Sequence, residues 1–180
     1  GAEGTPLATA LEEVHALVGD AVQETRSLTW ELSPPILYQL GLESALEWLG
    51  ESVEQRHGVA FRLTKEGTPR DLGEERRFLV FSAVRELLLD VVKHAEAGGV
   101  ALRLRWLEQS VEATLDDDGR GFDVPGAAVL PDARRSFGLF SIQERFEDLG
   151  GSVSILSEPG QGTSVTLVLP YAAEAEGQGE

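Results

Sequence analysis

Residues 100–117 alternate apolar and polar side chains twice over, and this pattern constrains the fold more than any other stretch of the chain. Val100, Leu102, Leu104 and Trp106 fall on one face of a first run, and Val111, Ala113 and Leu115 on one face of a second. Successive side chains of a strand point to opposite faces, so each run predicts a strand with one buried and one wet face. Two such neighbours need a covering layer. Phe81, Val84, Leu88, Val91 and Ala95 supply it by recurring every three or four residues, which predicts a helix over about 74–95, closed by Gly98-Gly99.

The rest of the chain extends this frame. A helix is expected over about 42–57 with Gly58 as its stop, then a strand over 59–63 and a loop over 68–73. Residues 118–136 read as a long loop, 138–149 as a helix, 153–156 as a strand, and 163–169 as a last strand after the turn Pro159-Gly160-Gln161-Gly162. Upstream, Leu7, Leu11, Val14, Val18, Val22, Thr25 and Leu28 form one narrow apolar stripe, ended by Ser33-Pro34-Pro35. A narrow stripe suits a helical-bundle seam better than burial in a large core. After Pro170 the chain is acidic and rich in small residues, which predicts a disordered tail. The expected fold class is α/β: a two-layer α/β sandwich over 34–170, preceded by a long bundle helix in 1–33 and followed by the tail 171–180.

Charge and composition exclude several functions. A net charge of −16 repels phosphate backbones, so nucleic acid is not an expected partner. An anionic ligand must therefore meet locally placed donors. The absence of cysteine excludes disulfides and thiolate-bound metal, and three histidines are too few for a histidine-rich metal site. No run reaches the roughly 18 apolar residues of a membrane span, and no leader is expected in these residues, because no basic segment runs into an apolar one.

Four features carry candidate chemistry. Glu86, Asp90, Lys93 and His94 fall at i, i+4, i+7 and i+8, on one helix face opposite the apolar stripe. The carboxylates suit a magnesium ion and Lys93 suits phosphate, although the same spacing also suits a solvated face of ion pairs. Asp116-Asp117-Asp118-Gly119-Arg120-Gly121-Phe122 follows the second strand, with Asp117 on the side of Leu115. An inward carboxylate is costly without a partner and well suited to accept from an adenine amino group. The glycines let backbone approach a flat ring, yet an ordinary hairpin loop fits too. Gly138-Leu139 is expected to open a helix, where free N–H groups favour phosphate. Gly160-Gln161-Gly162-Thr163 forms a tight turn before the last strand.

In this order and spacing the four features resemble the GHKL, or Bergerat, ATP-binding fold shared by histidine kinases, gyrase-type ATPases and Hsp90-type chaperones. The stretch 85–95 looks like its N box, 117–122 like its G1 box, Gly138-Leu139 with Glu144-Arg145 like its G2 region, and 160–163 like its closing glycine box. Lys93-His94-Ala95, the Gly-Leu-x-x-Ile-x-Glu-Arg run at 138–145, and Glu31-Leu32-Ser33-Pro34-Pro35-Ile36-Leu37 are similar to the NarL-partnered class of sensor kinases.

The resemblance implies a mixed sheet, ATP and Mg2+ as ligands, and phosphoryl transfer from ATP to a histidine and on to a response regulator of NarL/LuxR type. It implies that Asp117 binds the adenine amino group. Gly119, Gly121, Gly138 and Leu139 would close around the nucleotide, and Thr163 would frame the adenine pocket. Lys93 and His94 would face the phosphates, Asp90 and Glu86 would hold the metal, and Glu86 would polarise the attacking group. Residues 123–137 would form the ATP lid, with Arg134 and Arg135 as phosphate contacts. A homodimer through the N-terminal helix and a cytoplasmic location are expected, with membrane contact only through upstream regions.

Two departures stand out. The family has asparagine where this chain has Asp90. The phosphate-accepting histidine of this class lies on the first dimerisation helix with an acid directly after it, and is expected to lie outside these 180 residues. His15 precedes Ala16 and does not fit that pattern, and His57 before Gly58 reads as a helix-end residue. A degenerate nucleotide-binding scaffold and a GHKL serine kinase acting on a regulatory protein are the competing readings.

Overall fold

A computed structural model describes residues 35–123 and 133–172, with the side chains of 133–137 outside that description. The chain divides into two compact units, Gly1–Pro35 and Ile36–Glu180. The apolar stripe of 7–28, His15, most of the expected lid, the side chains of Arg134 and Arg135, and the tail from 173 onward lie outside the described residues.

The described elements are α1 (Pro35–Gln39), α2 (Gly41–His57), β1 (Ala60–Glu66), α3 (Gly73–Asp90) with a π-helical turn at Val91–Ala95, β2 (Gly99–Trp106), β3 (Ser110–Asp117), α4 (Ala133–Asp148), β4 (Ser152–Ser157) and β5 (Thr163–Pro170). The strands form one sheet in the order β1-β2-β3-β5-β4. Only β1 and β2 pair in parallel, so the sheet is mixed.

Alternation decides which face is covered. Leu102, Leu115 and Val165 lie in one cross-strand row, and Leu104, Ala113 and Leu167 in the next. All six are buried, and they share one core with Leu46 of α2, Phe81, Val84 and Leu88 of α3, and Ile142 and Phe146 of α4. The opposite face carries polar pairs such as Thr114–Thr166 and Arg105–Glu112. The architecture is the two-layer sandwich that the alternation predicts.

Several element ends differ from sequence expectation. Gly58 stops α2 as expected, at φ 70° with its N–H on the Glu54 carbonyl at 2.9 Å. The helix after α3, in contrast, ends on Glu96 in the left-handed region at φ 54°, before the Gly98-Gly99 pair. That pair serves another partner: both amides donate to Asp118 Oδ1, at 2.8 and 2.9 Å. The helix expected over 138–149 begins at Ala133. Tyr171 belongs to the fold rather than to a tail. Its N–H donates to the Gln109 carbonyl, its hydroxyl donates to the Leu107 carbonyl, and the Arg70 guanidinium stacks over its ring at 5.5 Å.

Gly50 sits in the middle of α2, where helix propensity disfavours glycine by about 1 kcal/mol relative to alanine. Packing explains it, because a Cβ there would overlap the ring of Phe61 on β1. Gly50→Ala is therefore expected to lower stability by about 1–3 kcal/mol in urea denaturation, despite the better helix former. A stabilised variant would show that this contact does not govern the position.

Candidate functional site

The site grows out of one cross-strand row. Val100, Asp117 and Thr163 align across β2, β3 and β5, and Ser157 of β4 pairs with Thr163. This row lies at the end of the buried face, just past Leu102, Leu115 and Val165. The sheet thus turns polar where its core face meets a cleft of about 380 Å³, open to solvent. Leu115 and Val165 form its floor, Leu87, Val91 and Ala95 one wall, and Leu139 and Phe122 close other sides. Asp90, Asp117 and Thr163 supply its polar groups. Such an apolar slot with a few convergent polar groups suits a flat, partly polar ring.

Asp117 is half-buried, and this burial pushes its carboxyl above the ordinary carboxylate range. The Gly119 N–H, which donates to Oδ1 at 2.9 Å, and Thr163 pull it back part of the way, while Asp118 adds to the rise. A carboxylate has about four acceptor positions, so capacity remains for a ligand's N–H.

The loop after Asp117 is clamped from two sides. The Arg120 N–H donates to the Ala95 carbonyl at 2.7 Å, and the Gly160 N–H donates to the Arg120 carbonyl at 2.7 Å. A Cβ on Gly119 would come within 2.7 Å of Asp117 Oδ1 and 2.8 Å of the Ala95 Cβ. Gly121, at φ 59°, packs with no room for a Cβ against the Glu158 carbonyl. Ser157, to which the sequence reading gave no role, ties the turn to this loop. Its hydroxyl accepts from the Phe122 N–H at 2.9 Å, donates to the Gly162 carbonyl at 3.0 Å, and lies 3.1 Å from Thr163 Oγ1. A hydroxyl at a strand end before a glycine turn was the available signal.

The acidic helix face is arranged differently from expectation. Asp90 does not lie opposite the apolar stripe; it borders the cleft between Leu87 and Val91. The helix then widens into the π turn that carries Lys93 and His94. Spacing extrapolated at 3.6 residues per turn fails across a π turn, which bonds i to i+5. Lys93 is exposed, His94 half-buried, and neither lines the cleft. Glu86 faces α4, where its Oε2 pairs with Arg145 Nη2 at 3.4 Å. Burial pushes its carboxyl up, against the pull of Arg145.

Gly138 also differs. Because α4 begins at Ala133, the free N–H groups of a helix start belong to 133–136 and not to Gly138. Gly138 instead gives clearance: a Cβ there would stand 2.8 Å from Glu86 Oε1 and 4.0 Å from Asp90 Oδ2. Among the described residues no three His, Cys, Asp or Glu side chains converge on one metal position. The two carboxylates near Gly138 still fit magnesium, which typically takes one or two carboxylates and completes its shell with phosphate oxygens and water.

Comparison with known proteins agrees with this geometry. The family described as "Histidine kinase-, DNA gyrase B-, and HSP90-like ATPase" matches residues 75–173, more than half of the chain. The chain belongs to this family. Its curated relatives include sensor histidine kinases. An uncharacterized sensor-like histidine kinase of Chloroflexus aurantiacus is 34% identical over 89% of this chain and 27% of its own length. The oxygen sensor histidine kinase NreB of Staphylococcus carnosus is 28% identical over 88% of this chain and 45% of its own length. The chain thus spans less than half of either relative. Among solved structures, the blue-light activated histidine kinase of Erythrobacter litoralis EL346 superposes with a TM-score of 0.61 at 21% identity, covering 94% of this chain and 61% of that one. The mycobacterial sensor histidine kinase MprB superposes with 0.54 at 21% identity, covering 72% of this chain and 93% of that one. At these identities the superpositions establish the shared fold.

The raised pKa of Asp117 has a consequence for stability. A carboxyl that binds its proton more tightly when folded contributes stability below its unfolded pKa, and loses it as pH rises through the folded value. At neutral pH the ionised group therefore opposes folding. Asp117→Asn, which keeps an acceptor for the Gly119 amide, is expected to match the wild type in acid and become relatively more stable toward neutral pH. Urea midpoints across a pH series measure the gap; a gap that stays constant or shrinks contradicts the assignment.

Proposed function

We propose that this chain is the catalytic ATP-binding part of a two-component sensor histidine kinase. It transfers the γ-phosphoryl group of ATP to a histidine nitrogen on a dimerisation helix, and an aspartate of a response regulator takes the group next. The observation that carries this reading is the half-buried Asp117 carboxylate, set opposite Thr163 at the end of an apolar cleft. Residues 1–33 would be the second dimerisation helix of a homodimer, and the regulator would be of NarL/LuxR type, as the motifs at 31–37 and 138–145 suggest. A cytoplasmic location follows from ATP as substrate; no described helix is long and apolar enough to cross a membrane.

In this reading Asp117 accepts from the adenine amino group and Thr163 frames the ring. Gly119 and Gly121 keep the loop close enough for backbone to line the pocket, and Leu139 covers it. Asp90 and Glu86 hold a magnesium ion, which would neutralise charge on the phosphates. Lys93 and His94 face the phosphates from the π turn, and Arg134 and Arg135 of the lid add to them. These local cations offset the field of a chain of net charge −16. Glu86 polarises the attacking imidazole, and catalysis rests on positioning and charge stabilisation.

Asp117 selects the base, because a carboxylate that accepts from an amino group meets a carbonyl oxygen in guanine. Binding of a non-hydrolysable ATP analogue is expected to exceed that of the GTP analogue by at least about 100-fold, and Asp117→Asn to remove most of that preference. Calorimetry measures both. Phosphoryl transfer is read by mixing the chain with labelled ATP and a fragment carrying the upstream helix. Acid-labile label on that fragment supports the kinase, analogue binding without label points to a nucleotide-binding scaffold, and acid-stable phosphoserine on a partner points to a serine kinase.

Asp90 brings a negative charge where the family has a neutral amide. It repels polyphosphate when metal is scarce and ligates magnesium when metal is present. Asp90→Asn is expected to bind ATP analogue several-fold more tightly than wild type in chelator, with the two curves converging as magnesium rises. Superimposable curves throughout the titration would remove any role for the extra charge.

A further inference from the structure

The nucleotide-site reading leaves Arg145 without a role, because it does not line the cleft. Its surroundings give it one. Gly138, Ile142 and Arg145 fall at i, i+4 and i+7 and so share a face of α4. Glu86 of α3 engages both ends of that face. Its Oε1 is the atom nearest to a Cβ placed on Gly138, at 2.8 Å, and its Oε2 pairs with Arg145 Nη2 at 3.4 Å. The Arg145 Nε donates to the Ser141 carbonyl at 3.0 Å, which folds the long side chain back along the helix toward Gly138. Ile142 and Phe146, both fully buried, fix how deeply α4 sits in the core. Apolar contact is non-directional, so a polar contact outside the core adds a geometry that packing alone does not specify. A charge-assisted contact between a fork-shaped guanidinium and a carboxylate is directional. Leu139, next to Gly138, lines the cleft, so a small rotation of α4 moves a cleft wall.

We propose that Arg145 is a positioning residue of the nucleotide site: through Glu86 it fixes α4 against α3 and so sets where Gly138 and Leu139 meet the nucleotide. The proposal rests on the ATP reading above and adds a residue outside the cleft to it.

The test measures affinity of the full chain for a non-hydrolysable ATP analogue, in magnesium and separately in chelator, alongside urea midpoints. Arg145→Gln is expected to weaken the analogue about fivefold, the upper end of what a half-exposed ion pair supplies. The loss is expected in both conditions, because a latch between helices does not need the metal. Glu86→Gln is expected to show the same loss in chelator, the double variant no more than either single variant, and Arg145→Lys a partial recovery. A purely structural role would shift the urea midpoint and leave analogue affinity unchanged for the folded protein. Unchanged affinity for Arg145→Gln, additive losses in the double variant, or a loss confined to magnesium overturns the proposal alone. Failure of the wild type to bind any analogue overturns the ATP reading, and this proposal with it.

Discussion

An aspartate at the end of a buried strand face is the constraint on which the rest of the structure depends. Asp117 continues the row that Leu115 and Ala113 bury, so its carboxylate meets a core edge and not bulk water. Desolvating a charge there is costly unless donors meet it. The Gly119 amide and Thr163 partly compensate and leave capacity for a ligand. The glycine-rich loop follows from the same demand: the chain must turn sharply after Asp117 to bring the Gly119 N–H back onto it. Ala95, Glu158 and Gly162 hold that turn from both sides.

The helical layer supplies what the sheet cannot. α3 places Leu87, Val91 and Asp90 along one side of the cleft, and its π turn ends where the Ala95 carbonyl takes the Arg120 amide. A π turn leaves backbone groups and side chains off the α-helical register, which suits a segment that must serve both core and site. α4 approaches α3 at Gly138, the position where a side chain would displace Glu86. Gly138 is therefore a matter of helix spacing. Stability and function pull apart at this site, since Asp117 and the Glu86–Asp90 neighbours gather negative charge in a partly dry place.

Much of the fold was legible because period-two and near-3.6 patterns write directly onto faces. The strands at 100–106 and 111–117, the stop at Gly58 and the stripe from Phe81 to Ala95 all follow from spacing. Errors cluster where partners distant in sequence decide. Gly98-Gly99 looked like a helix stop, yet Asp118 uses both amides and Glu96 takes the left-handed position. Gly138 looked like a helix start, yet α4 begins at Ala133 and the neighbour of Gly138 across the gap is Glu86. Lys93 and His94 sit on the π turn, so α-helical spacing does not give their place relative to Glu86 and Asp90. Ser157 carried only the faint signal of a hydroxyl at a strand end, because its three contacts come from Phe122, Gly162 and Thr163 across a turn.

The sequence alone determined the two-layer α/β class, the order of its elements from Gly41 onward and the inward side of Asp117, because alternation and helical spacing need no knowledge of distant partners. Only the tertiary structure decided that Asp90 borders the cleft, that Glu86 turns to Arg145, and that Gly138 serves the closeness of two helices. Those outcomes depend on which faces of α3 and α4 meet, and on one widened helical turn. Contacts between elements separated by tens of residues leave no periodic trace in the chain that makes them.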